Sequence, residues 1–230
     1  EQGRKMSKSL GNVTAPQDVM KNAGADILRM WVCASDYADD LRIGPEILKT
    51  TVETYRKLRN TMRYLVANLY DFDPAVDAVP LAQMEEVDRF ILARYGELGS
   101  KVLAAYDAYD YPTIFQAINA FMTVDLSALY SDISKDRLYT FAPGSRERRA
   151  AQTVMYRIAD GLTRLLAPIR QLHRNLGGVL DDMVVGHDVA VGRNDDARAE
   201  AAILEAGLAA ARQGVAEELA REGVLRGRVL

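Results

Sequence analysis

The chain has 230 residues, 49% of them hydrophobic and 27% charged, with a formal net charge of −3. These are ordinary values for a globular protein with one large or two small domains, and the acidic total excludes indiscriminate coating of nucleic acid, though not a local basic face. No apolar run reaches the roughly 20 residues that span a bilayer, the charged start Glu1-Gln2-Gly3-Arg4-Lys5 lacks a signal-peptide core, and one cysteine excludes an internal disulfide or a Cys-rich zinc site, which fits a reducing cytosol.

Residues 1–15 read as a Lys-, Ser- and Gly-rich loop without apolar period. Thr14 and Pro16 signal a short helix to about Asn22, because proline near the first helical position loses no hydrogen bond. Gly24 breaks it, and a second helix starts near Asp26 and runs through Val32. Between Pro45 and Leu69 the residues Leu48, Thr51, Tyr55, Leu58, Met62, Leu65 and Leu69 recur at steps of three and four, the stripe of one long amphipathic helix. Asp71-Phe72-Asp73-Pro74 stops it. Val87, Ile91, Tyr95, Leu98 and Val102 mark another helix, weakened by Gly96 and Gly99. Tyr111-Pro112 opens a third, with Ile114, Ile118, Phe121 and Leu129 inward. Ser145 caps a fourth that carries Val154, Ile158, Leu162 and Leu165 and ends at Pro168.

Four such helices with short connections predict a mainly α fold, an antiparallel helical bundle. Beyond it the texture changes. Glycine and acidic clusters mark loops, the Val-rich piece from Met183 to Val191 suggests one or two short strands, and an Ala- and Glu-rich helix spans about Arg198 to Glu222. The expected organisation is therefore 1–15 a lysine loop, 16–45 connecting helices, 46–169 the helical bundle, and 170–230 a small, less regular C-terminal region of unassigned role.

Chemistry concentrates at the start, in Lys5-Met6-Ser7-Lys8-Ser9 followed by Leu10-Gly11-Asn12. Two lysines three apart on a Ser- and Gly-bearing loop present mobile point charges to a polyphosphate. When a carboxylate attacks an α-phosphate, charge grows on the departing pyrophosphate, and cations placed there lower the barrier. Solvated surface lysines are the alternative. A second constellation lies on the long helix, where Arg56, Arg59, Asn60 and Arg63 recur at steps of three and four opposite the apolar stripe. Such a row can follow an RNA backbone while Asn60 reads a base edge; the alternative is a solvated face with ordinary ion pairs. Trp31 in its apolar run reads as core, Cys33 as an inert thiol, and His173 and His187 lack metal-site spacing. Lys135-Asp136-Arg137 divides evenly between capping a helix and touching RNA.

The string Lys5-Met6-Ser7-Lys8-Ser9 is identical to the lysine-loop motif of class I aminoacyl-tRNA synthetases. The chain resembles that family, in its isoleucine type, from residue 1 to about 169. Gly24 to Val32, Ser35-Asp36-Tyr37, Asp40 to Ile43, Tyr55 to Leu65, Val124 to Ser127, Asp132 to Tyr139, Arg148 to Val154 and Leu165 to Ile169 carry the resemblance in order. It implies a helical bundle of the anticodon-binding type, with Lys5 and Lys8 catalytic and Lys5 to Ser9 touching ATP; the spacing of Arg56, Arg59, Asn60 and Arg63 makes them the candidates for touching tRNA(Ile). It implies further a monomeric cytoplasmic ligase that uses ATP and Mg2+ as a whole enzyme; the cysteine-rich zinc module of many bacterial relatives has no counterpart in these residues, and no metal site is expected in this chain. The nucleotide-binding core and editing domain are expected before Glu1, so this piece is expected to be inactive alone. Departures begin at Arg170, where the family pattern gives way to Arg170-Gln171-Leu172-His173-Arg174-Asn175. The competing readings are a free-standing helical RNA-binding module and an interdomain scaffold without ligase activity.

Overall fold

The computed structural model describes residues 3–169, and among them every regular element is helical. The order is α1 (Pro16–Ala23), α2 (Ala25–Ala34), α3 (Pro45–Ala67), α4 (Glu86–Asp107), α5 (Tyr111–Ala120), a π-helical segment (Phe121–Tyr130), α6 (Ser131–Thr140) and α7 (Arg146–Leu166). The strands expected over Met183–Val191, the helix over Arg198–Glu222 and both histidines lie outside the described residues.

Proline opens α1, α3 and α5 within their first two positions, where a missing N–H removes no helical hydrogen bond. Two N-caps make side-chain bonds: Asp110 accepts from the Thr113 N–H at 3.1 Å and Ser145 from the Arg148 N–H at 3.4 Å. The expected stripe of α3 is buried from Thr51 onward at Leu58, Met62 and Leu65, with Leu48 and Tyr55 half-buried and Leu69 buried in the turn beyond. On α4 the inward set Ile91, Tyr95, Leu98 and Val102 is buried, with Val87 half-buried. Gly96 and Gly99 lie on that same buried face without interrupting the helix. On α7, Val154, Ile158, Leu162 and Leu165 are all fully buried.

One expectation fails. Leu129 is 40% exposed, and Met122, Leu126 and Tyr130 take the inward places. The reason is the winding between α5 and α6. The backbone stays right-handed helical through Ala120, Phe121, Tyr130 and Ser131, so Tyr111–Thr140 is one rod whose middle is wound more widely. Along it Ile114, Ile118, Met122, Leu126, Tyr130, Ser134 and Leu138 are buried at uniform steps of four. In an α-helix a step of four overshoots the turn by about 40°. A stretch with i→i+5 geometry takes more residues per turn and pulls the seam back onto the core.

The rod, α3, α4 and α7 share one core that includes Met30 of α2 and ends at Ile169. Helix α7 runs antiparallel to α3: its first turn meets Asp71 just past α3, whereas its last turn accepts a hydrogen bond on the Leu165 carbonyl from the Tyr106 hydroxyl at 2.8 Å, close to Cys33 of α2. The connecting helices α1 and α2 therefore stand at one end of the bundle, and the turn after α3 at the other.

Polar ties lock the helices in register. Asp88 of α4, wholly buried, accepts two hydrogen bonds from the Arg137 guanidinium at 2.7 and 2.8 Å and one from the Tyr130 hydroxyl at 2.7 Å. Burial beside that carboxylate pushes the Tyr130 phenol well above its ordinary pKa. A second knot joins α3 to α7. Arg148, 4% exposed, grips Asp71 with both terminal nitrogens at 2.6 and 3.1 Å and donates to the Leu138 and Pro143 carbonyls. Gln152 donates to Asp71 and to the Asn68 carbonyl, and Arg149 to the Asp71 carbonyl. Paired bonds of this kind between guanidinium and carboxylate are the stronger class of protein hydrogen bond.

Candidate nucleic-acid interface and lysine loop

The lysine loop is short, exposed and shaped by its own polar atoms. Lys8–Leu10 form a single 3-10 turn, closed by Gly11 in the left-handed region at φ 63°, which glycine adopts without a Cβ penalty. Asn12 then reaches back across the loop: its Oδ1 accepts from the Ser7 N–H at 2.8 Å and its Nδ2 donates to the Lys5 carbonyl at 3.2 Å. The Ser7 and Ser9 hydroxyls pair at 2.6 Å. Asn12 thus sets the loop's curvature, a role sequence reading left unassigned although the residue is part of the string. Lys5, Met6, Lys8 and Ser9 are exposed, Ser7 is half-buried, and neither lysine has an ion-pair partner among the described residues. Both ammonium groups are available to an anion.

On α3 all four candidate RNA-contacting residues, Arg56, Arg59, Asn60 and Arg63, are exposed. At 3.6 residues per turn they fall within a sector of about 100°, facing away from Leu58, Met62 and Leu65. Arg56 pairs with Glu53 at 2.7 Å, an i,i+3 contact between two largely exposed side chains; such a pair contributes ~0.3–0.5 kcal/mol and opens readily for a phosphate. Arg59 and Arg63 have no ion pair among the described residues. Structure thus brings the four together on one face.

Other conspicuous residues sort differently. Arg137 belongs to Asp88, while Lys135 is exposed and pairs with Asp132 at 2.7 Å. Arg148 and Arg149, conspicuous as a basic doublet, are turned inward onto Asp71. Trp31 is half-buried and donates its indole N–H to the Arg42 carbonyl at 3.3 Å, tying α2 to the segment before α3. Cys33 is half-buried, and desolvation raises its thiol pKa. Among the described residues no group of three or more His, Cys, Asp or Glu side chains could hold a metal ion, and no helix is long and apolar enough to cross a membrane.

Family models match two stretches: residues 1–44 match tRNA synthetases class I (I, L, M and V), and residues 88–170 match the anticodon-binding domain of tRNA ligase. The lysine loop and the helices beyond it, in this order, place the chain in the class I tRNA synthetase family. Within it the similar proteins are isoleucine–tRNA ligases. That of Symbiobacterium thermophilum is 55% identical over 169 residues, 74% of this chain and 18% of the relative. Those of Carboxydothermus hydrogenoformans and Geobacillus kaustophilus are 54% and 53% identical over similar spans, again 18% of each relative. The chain therefore spans less than a fifth of the length of the curated relatives it matches.

Proposed function

We propose that this chain is the part of an isoleucine–tRNA ligase that completes the ATP site with Lys5 and Lys8 and holds tRNA(Ile) along α3. The observation that carries the reading is that the exposed, unpaired lysine loop and the outward guanidinium row occur on one helical framework, in a chain about half identical to ligases of that name. The domain division follows the same logic: 1–15 serves catalysis, 16–45 connects, and 46–169 binds tRNA, in a protein that works as a monomer in the cytoplasm.

Activation of isoleucine joins its carboxylate to the α-phosphate of ATP and expels pyrophosphate. Lys5 and Lys8 supply positive charge where the leaving pyrophosphate gains negative charge, so they act on the transition state more than on bound ATP. Loop mobility serves this task, because the lysines must close on the triphosphate and later release the product. Mg2+ accompanies the triphosphate and is not assigned to side chains of this chain. The ligase activity belongs to the whole protein, so the 230-residue chain alone is expected to be inactive.

The tRNA part is tested by filter-binding titration of a tRNA(Ile) transcript at several salt concentrations. Each neutralised phosphate in loop RNA contributes roughly −0.7 to the log–log salt slope, so Arg59 and Arg63 together give about −1.4, and Arg56 raises that to about −2 once Glu53 releases it. Arg63→Ala should flatten the slope by nearly one contact and weaken all tRNAs alike. Asn60→Ala should instead narrow the preference for tRNA(Ile) with the slope unchanged. An affinity and slope untouched by replacing all three arginines would make the row a solvated face.

A further inference from the structure

A single side chain closes the lysine loop. Asn12 reaches back to Ser7 and Lys5: its Oδ1 accepts from the Ser7 N–H at 2.8 Å, and its Nδ2 donates to the Lys5 carbonyl at 3.2 Å. Those two backbone groups flank Met6, so one carboxamide fixes the peptide planes on both sides of that residue. The intervening turn brings Asn12 into place. The Leu10 N–H donates to the Ser7 carbonyl at 3.1 Å and the Gly11 N–H to the Lys8 carbonyl at 3.2 Å, and Gly11 reverses the chain at φ 63°. The Ser7 and Ser9 hydroxyls are engaged with each other at 2.6 Å. The carbonyls of both lysines are therefore hydrogen-bonded, Lys5 by Asn12 and Lys8 by Gly11, and all of these bonds lie inside the loop.

Asn12 is exposed, as are Lys5 and Lys8, and it is no part of the helical core. Water competes for hydrogen bonds in such a setting, so these add little to global stability. What they restrict is the backbone that carries the two lysines. A lysine ammonium rides on a flexible four-carbon stem, so its reach depends on where the backbone starts it. Charges stabilise a transition state most when they are in place before the reaction, with no reorganisation at that moment. A carboxamide suits the task because it accepts from an N–H through one atom and donates to a carbonyl through another. A carboxylate at the same position would turn a second acceptor towards the Lys5 carbonyl.

We propose that Asn12 is a positioning residue for amino-acid activation: by bonding the Lys5 carbonyl and the Ser7 N–H, it sets the separation at which Lys5 and Lys8 meet the departing pyrophosphate. The proposal rests on the reading above that these lysines supply transition-state charge, and it names the side chain that holds their spacing. Asn12 acts through the backbone of the loop and touches no substrate. Because its bonds are internal to the loop, the arrangement travels intact when the loop closes on the triphosphate.

The experiment uses a full-length ligase containing this segment and follows isoleucine-dependent pyrophosphate exchange. Asn12→Ala should lower kcat roughly 10–100-fold, the scale of an ångström's misplacement. The KM for isoleucine should stay within about twofold, the pattern of a loss confined to the transition state, and the melting temperature should not move. Asn12→Asp keeps the shape without the donor and should fall at least as far. Lys8→Ala is the reference. Groups that act as a unit are not additive, so Lys8→Ala with Asn12→Ala should lose little beyond Lys8→Ala alone. In the 230-residue chain, the Ser7 amide should exchange with solvent faster in Asn12→Ala than in the parent. A parental kcat in Asn12→Ala or Asn12→Asp, beside an impaired Lys8→Ala, overturns the role of Asn12 and leaves the lysines standing. Losses that multiply in the double variant overturn it too, since Asn12 would then act independently of Lys8. An unchanged rate in Lys8→Ala overturns the lysine reading and this proposal with it.

Discussion

Asp71 sits in the turn after α3 and accepts hydrogen bonds from Arg148 and Gln152 on α7. Arg148 in particular holds its carboxyl below the ordinary value of 3.8. Such a depressed carboxylate contributes stability at neutral pH, because the unfolded chain binds its proton more readily. The contribution is lost as pH falls below about 4 and through the lowered folded-state value. Asp71→Asn should therefore destabilise the chain at neutral pH by ~3 kcal/mol, since it leaves a nearly buried guanidinium without its counter-charge. The difference from the parent should shrink as the acid limb is descended. Denaturant melts at pH 7 and at pH 3 measure both effects; an equal loss at the two values would remove Asp71's charge from the account. Neither this knot nor the Asp88 knot was legible in the sequence. Arg148, Arg149 and Arg137 look like any surface cations until the partners 77, 78 and 49 positions away are brought to them.

At the scale of elements the sequence was most legible where one period rules a whole helix. The three-and-four stripes of α3, α4 and α7 predict their buried faces because each of those helices keeps a single winding along its length. The rod from Tyr111 to Thr140 does not, and a period assumed from α-helical geometry sends Leu129 to the wrong side. Its signal was present in another form, as the unbroken four-residue spacing from Ile114 to Leu138. The α4–α7 contact was hidden for a different reason, since it depends on a side chain that is missing. Gly161 is buried against Tyr95, and a Cβ there would lie 1.7 Å from the Tyr95 hydroxyl oxygen and 2.6 Å from its ring carbon Cζ. Alanine normally favours a helix over glycine by roughly 1 kcal/mol, yet Gly161→Ala should destabilise by about 1–3 kcal/mol through overpacking. Removing the hydroxyl alone with Tyr95→Phe should not cure the clash, because Cζ remains. The pair Tyr95→Leu and Gly161→Ala should show a favourable coupling in a double-mutant cycle of thermal melts. Strict additivity would mean that the ring is free to move aside.

Taken whole, the molecule separates two kinds of charge by their mechanical setting. The arginines of α3 stand on a helix whose opposite face is in the common core, so their spacing is fixed before any ligand arrives. Lys5 and Lys8 stand on a loop that contributes no side chain to that core and is held by Asn12, a serine pair and one short turn. Both candidate sets stand out in the sequence because each has local spacing, three residues on the loop and three or four on the helix, and both are exposed in the structure. Different settings predict different behaviour on substitution. Lys8→Ala should leave the melting temperature of this chain and its affinity for tRNA(Ile) unchanged, since the side chain is exposed and stands outside the arginine row of α3. In a full-length ligase containing this segment, the same change should lower isoleucine-dependent pyrophosphate exchange with little effect on isoleucine binding, the pattern of a group that acts in the transition state. Arg59→Ala with Arg63→Ala should do the reverse, weakening tRNA binding and leaving exchange intact. If Lys8→Ala instead weakens isoleucine or tRNA binding in step with the exchange rate, the loop is a structural support and not a source of transition-state charge.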